Sequence, residues 1–143
     1  MTRAVLDDHL LRALLADDLS EPLANLLSRH EPATTNLYLY RLCRSVVSAR
    51  GGALTGSWSA EHRRELGIRL TRLPDDLEVV PIRTLVHRMA EIADAHRLST
   101  LGAEAVAAAA HLGGPLCVWT GDDGPGIRSA MAAVGGDYRT VGH

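Results

Sequence analysis

Two short apolar runs at opposite ends of this chain each finish in a pair of aspartates. Ala4-Val5-Leu6 runs into Asp7-Asp8, and Leu116-Cys117-Val118-Trp119-Thr120-Gly121 runs into Asp122-Asp123. The sequence between them is mostly of helical period. Short apolar strands separated by helices pair most readily in parallel, because each helix returns the chain to the same end of the sheet. Such strands are buried on both faces, so their apolar runs are continuous instead of alternating. Open α/β sheets bind ligands outside the carboxyl ends of their strands. The two aspartate pairs are therefore candidates for one acidic site.

Arg3 to Leu6 reads as a buried strand, and Leu10, Leu11, Leu14 and Leu15 mark the helix after it. Ser20 caps a second helix with Pro22 in its first turn and Leu23, Leu26 and Leu27 inward. Pro32 blocks its continuation, and Thr34 or Thr35 caps a third helix running to about Arg50, ended by Gly51-Gly52. The stretch to Trp58 reads as a loop, and Ser59 caps a fourth helix to about Leu73. Leu77 to Pro81 reads as a second strand, and Leu85, Met89, Ile92 and Ala93 mark a helix to about His96. Another helix spans about Ser99 to Leu112, followed by a strand at 115–120, a helix at 126–134 and a strand at Tyr138–Val141. The expectation is one domain over residues 1–143, a three-layer α/β/α sandwich around a mainly parallel sheet of about four strands.

Composition narrows the function classes. A chain of 143 residues is long enough for a single sizeable core. A net charge of -2 carries no global footprint of nucleic-acid binding. All 15 basic residues are arginine, which excludes a Walker A loop and a Schiff-base lysine. Cys43 and Cys117 form no disulfide framework and suit a reducing compartment. The longest apolar run, Ala105 to Ala110, is too short to span a bilayer, and charged residues interrupt the N-terminus before any leader-like stretch. A cytoplasmic protein with no membrane partner is expected.

The order of these pieces resembles the PIN domain, the fold of VapC-type toxin ribonucleases of bacterial toxin–antitoxin systems. The resemblance covers nearly the whole chain. Its carriers are Val5-Leu6-Asp7-Asp8, Thr34-Thr35 leading into a helix with Arg41-Leu42, Leu98-Ser99 before the alanine-rich helix, Leu112-Gly113-Gly114-Pro115-Leu116, and Thr120-Gly121-Asp122. It implies Mg²⁺- or Mn²⁺-dependent hydrolysis of RNA phosphodiesters, with three or four carboxylates holding an ion that activates water. Carried over residue by residue, the first acid falls on Asp7 with Asp8 beside it, and the last on Asp122 with Asp123 beside it. The middle two positions depart from the family. Arg41 stands where a glutamate is normal, and no Asp or Glu occurs between Glu31 and Glu61. Gly102 stands at the third position, and Glu104 lies two residues on, about 200° around a regular helix.

Two expectations follow from that resemblance. The first is a PIN-like interaction module with an incomplete acidic site, catalytically impaired or inactive and without a cofactor, in which Arg41 neutralises the cleft. A second copy of the chain is one expected partner. The alternative is a VapC-like Mg²⁺- or Mn²⁺-dependent ribonuclease with RNA and an antitoxin-like protein as partners. In that case Asp7 and Asp122 are catalytic, and the metal ligands come from Asp7, Asp8, Glu104, Asp122 and Asp123.

Each candidate also has a purely structural reading. Asp8 and Asp122 suit helix caps, worth about 1 kcal/mol each. Glu104 near a helix start is favourable against the helix dipole. Asp17-Asp18 and Asp75-Asp76 read as solvated turn acids. Arg44 and Arg50, with Arg63 and Arg64, are weak candidates for phosphate contact on an otherwise solvated face. Gly124-Pro125-Gly126 reads as a turn, Tyr38 and Tyr40 as core or interface, and the seven histidines as scattered without metal-ligand spacing.

Overall fold

The computed structural model describes residues 1–48 and 52–142. The chain begins with β1 (Arg3–Leu6), α1 (Asp8–Leu15), α2 (Glu21–Leu27) and β2 (Glu31–Thr34). It continues through α3 (Asn36–Val47), α4 (Gly52–Thr55), α5 (Ala60–Leu70) and β3 (Glu78–Val79). Then come α6 (Val86–His96), α7 (Thr100–Leu112), β4 (Leu116–Trp119), α8 (Pro125–Ala133) and β5 (Tyr138–Val141). All five strands are parallel, in the order β3-β2-β1-β4-β5. Successive strands step outward from β1 on one side, and the chain then returns to add β4 and β5 on the other. The crevice between the carboxyl ends of β1 and β4 is thus the topological switch point, where open sheets bind ligands.

Alternation along the strands divides the core between two faces of the sheet. Val5, Ala33, Leu116 and Val118 point into one core with Met89 and Ile92 of α6, the alanines of α7, and Met131 of α8. Ala4, Leu6 and Cys117 point the other way, against Leu10, Leu23 and Leu26 of α1 and α2. A third cluster joins Leu11 and Leu15 of α1 to Leu42, Leu54 and Leu66 of α3, α4 and α5. The three-layer α/β/α sandwich is as expected. Helix α7 is buried from Gly102 to Ala109, and its small side chains let it lie close to both the sheet and α6.

The expected sheet of about four strands has a fifth, β2, which Pro32 concealed. Glu31 N–H donates to Thr2 O of the neighbouring strand at 3.2 Å. Alternation then turns the proline nitrogen to the opposite flank, ahead of the first β2–β3 pair, Ala33 with Glu78. No ladder bond needs the missing N–H. Arg3 secures this end of the sheet, with its guanidinium 3.3 Å from Glu31, 2.9 Å from Glu78 and donating to Asp76 O at 3.0 Å.

Three boundaries also shift. The stretch read as a loop before Trp58 holds the short helix α4, anchored by buried Leu54 and by Thr55 Oγ1 lying 2.7 Å from Ser45 Oγ. Helix α5 begins at its Ser59 cap as expected but stops at Leu70, three residues before Leu73. The expected strand Leu77 to Pro81 shortens to Glu78–Val79. The expected end of the third helix at Arg50, and that arginine's phosphate contact, lie outside the described residues. Among the described residues no helix is long and apolar enough to cross a membrane.

Candidate acidic site at the carboxyl ends of β1 and β4

Asp7 leaves β1 in extended conformation and becomes the N-cap of α1, its Oδ1 accepting the Leu10 N–H at 2.9 Å. Its other oxygen, Oδ2, accepts the Trp119 N–H of β4 at 2.9 Å. One carboxylate therefore starts a helix and fastens two strands across the switch point. Asp7 is 1% exposed. Burial drives its pKa up from 3.8 to about 7, against the lowering effect of the two backbone N–H groups and with a further push from Asp8 and Asp122. Near neutrality this side chain is divided between its charged and neutral forms.

Asp8 is the first residue of α1 and is also buried. Its Oδ1 accepts the His9 N–H at 3.0 Å. Its Oδ2 accepts no hydrogen bond among the described residues and lies 3.4 Å from Arg41 Nε of α3. His9 completes the group. Its Nδ1 lies 2.6 Å from Asp122 Oδ2 and 3.4 Å from Asp8 Oδ1. The hydrogen-bonding contact with Asp8 raises the histidine's pKa more than burial lowers it, and the charges on Asp122, Asp8 and Asp7 add to the rise. The imidazole stacks on Trp119 with ring centroids 4.5 Å apart. Gly121 makes room for that indole, because a Cβ there would come within 2.0 Å of it.

Potential ligand atoms of Asp7, Asp8, His9 and Asp122 all lie within 4.8 Å of one another. Asp7, Asp8 and Asp122 were sequence candidates. His9 was not, since adjacency to an acid pair is not a metal-ligand spacing. The signal was its place in the strand-to-helix turn, next to residues already expected at the sheet's carboxyl end. Tyr38 of α3 is another neighbour, with its phenol pKa raised well above the usual value, first by burial and then by the three aspartates.

Glu104 and Asp123 are not in this group. Glu104 is fully buried on α7 and turns to the start of α3. Its Oε1 accepts the Leu37 N–H at 2.9 Å, and its Oε2 accepts the Asn36 N–H at 3.2 Å and Asn36 Nδ2 at 3.0 Å. Those are unpaired donors of a helix N-terminus, satisfied here by a carboxylate from another helix. A Cβ at Gly102 would lie 3.3 Å from Ile127 Cγ1, so that position faces α8. Asp123 accepts from Tyr138 Oη at 2.8 Å and from Arg128 at 3.0 Å, and these two bonds hold its carboxyl below the usual range. Arg44 lies beside the cluster in an open groove of about 380 Å³ with Tyr40, Arg41, Ser45, Ser48 and Leu54.

Chemically, this is a compact carboxylate group with two cations of its own. Arg41 faces Asp8, and His9 lies between Asp8 and Asp122 in an environment that favours the imidazolium. In comparison with known proteins, no family model and no curated protein matches this chain.

Proposed function

We propose that this chain is a PIN-like interaction module whose acidic cleft is balanced by the protein's own groups and does not support metal-dependent cleavage. One observation carries this reading: the acids that the PIN resemblance would assign to a metal are engaged in structural bonds. Asp7 spans Leu10 and Trp119, Glu104 holds the start of α3, and Asp123 joins Arg128 to Tyr138. A Mg²⁺ ion needs near-octahedral oxygen ligands at about 2.0–2.1 Å. Asp7 would have to share oxygens already accepting N–H bonds, and its burial favours the neutral form. Arg41 places a fixed positive charge against Asp8. The residues present therefore do not fit a divalent ion, and no cleavage step is drawn through one.

A binding role is supported by apolar side chains left exposed on the packed helices α3 and α5, namely Tyr40, Val47 and Ile68. Either a second copy of the chain or an antitoxin-like protein is a suitable partner for that surface. The free thiols Cys43 and Cys117, both raised in pKa by burial and so poorly reactive, support a reducing cytoplasmic setting.

The alternative, a VapC-like ribonuclease, is supported by the mutual approach of Asp7, Asp8, His9 and Asp122 within 4.8 Å. An RNA-cleavage assay with Mn²⁺ separates the two, using wild type beside Asp122→Asn. Asp122 is the suitable position because its side chain is 40% exposed and caps no helix. The module reading expects equal background degradation by both proteins. Metal-dependent cleavage by wild type that disappears in the variant would overturn it.

A further inference from the structure

We infer that Arg41 is a displaceable counter-ion that keeps divalent cations out of the cluster, and that removing its charge converts the cluster into a Mn²⁺ site. The inference rests on the reading above, in which the unmodified protein holds no metal.

Asp8 carries the argument. It is 2% exposed, and its Oδ2 accepts no hydrogen bond among the described residues. A buried anionic oxygen in that state is costly unless something positive stands against it. Arg41 Nε is there, but at 3.4 Å, longer than a well-formed charge-assisted bond. Both oxygens of Asp7 are engaged with backbone donors, and Asp8 Oδ1 with the His9 N–H. Asp8 Oδ2 thus retains coordinating capacity that Asp7 has largely given up, and Arg41 is the group positioned to mask it.

Arg41 is also built to move. Its side chain is 54% exposed, whereas its partner is almost wholly buried. It lines the groove of about 380 Å³ that opens beside Tyr40, Arg44 and Ser48, which gives the guanidinium room to swing off the carboxylate. Without the guanidinium, Asp8 Oδ2 would stand beside Asp122 and the His9 imidazole, all within 4.8 Å. Carboxylate oxygens with one imidazole suit Mn²⁺, so Mn²⁺ is the probe.

The experiment is a Mn²⁺ titration of the intact chain, followed by the loss of the free-ion electron paramagnetic resonance signal. Four proteins are compared: wild type, Arg41→Gln, Arg41→Glu, and Arg41→Glu combined with Asp8→Asn. Circular dichroism confirms that each is folded. Because Arg41 is largely exposed, the glutamine variant is a mild change and keeps the test decisive if the glutamate variant is unstable. Wild type is expected to leave the free-ion signal intact. Arg41→Gln is expected to bind at least about tenfold more tightly than wild type, and Arg41→Glu more tightly again. Asp8→Asn is expected to abolish the gain. If both single variants fold and bind no better than wild type, the inference is wrong while the module reading stands. A gain that survives Asp8→Asn also overturns it. Tight binding by wild type would instead defeat the module reading itself.

Discussion

Asp7 does at residue scale what a catalytic ligand would leave undone. Its two oxygens accept N–H groups from α1 and from β4, so both must remain acceptors for the junction to hold. Asp7→Asn replaces one acceptor with an NH₂ group facing a backbone donor. We expect a loss of about 1–3 kcal/mol in urea unfolding. Glu104→Ala leaves the Asn36 and Leu37 N–H groups at the start of α3 without their buried acceptor, and a loss of about 3 kcal/mol or more is expected in the same measurement. A cost below about 0.5 kcal/mol would mean that water replaces the carboxylate there.

Asp7 also gives stability a pH dependence with a definite sign. Its folded pKa of about 7 lies above its ordinary 3.8, so between those values the folded state binds more protons than the unfolded one. Stability from this group therefore falls as pH rises through that interval. His9 acts in the same direction: its folded pKa is raised above 6.5, and its contribution is lost as pH climbs through the folded value. Unfolding free energy is expected to decline from about pH 5 to about pH 8, with a shallower slope in Asp7→Asn. A rise over that range in wild type would contradict the assignment. The aspartates themselves were legible in the sequence, because acids ending apolar strands have few other places to go. The partners were not. Nothing local tells that Glu104 reaches across to α3, or that His9 would bridge Asp8 and Asp122 from two ends of the chain.

Among the elements, glycines and prolines separate what the sequence could announce from what it hid. Gly113 ends α7 with φ +67°, as the Gly113-Gly114 pair suggested. Gly114 is needed for a different reason: a Cβ there would lie 1.8 Å from Arg3 O, where the turn crosses the start of β1. Gly113→Ala, with open space around it, is expected to cost about 1 kcal/mol from the left-handed backbone alone. Gly114→Ala must displace backbone and is expected to cost about 2 kcal/mol or more. Thermal melts of the two variants check this order, and the reverse order would show that the turn rearranges cheaply. Strand β2 was hidden because Glu-Pro-Ala-Thr has neither an apolar run nor strand alternation. Its place is set by neighbours on both sides and by Arg3, which are tertiary facts. The helices were easier, since Ser20, Thr35, Ser59 and Ser99 each cap a helix with the side chain facing its third following N–H.

At the scale of the whole molecule, strand order decides where chemistry can sit. The return of the chain from β3 to β4 on the far side of β1 opens a crevice between β1 and β4. Asp7, Asp8, His9 and Asp122 line its carboxyl end. The α/β class and the meeting of both chain ends were readable from alternating strands and helices. The site's charge balance was not, because it depends on Arg41 and His9 facing the acids in three dimensions. The central claim is that this balance is internal to the protein. The most direct measurement is the melting temperature of wild type with and without Mn²⁺ at about 10 mM, since a ligand bound only to the folded state stabilises it by mass action. The account predicts no stabilisation. A site with a dissociation constant near 10 μM would add about 4 kcal/mol and raise the melting temperature by roughly 10 °C, and such a rise would contradict it.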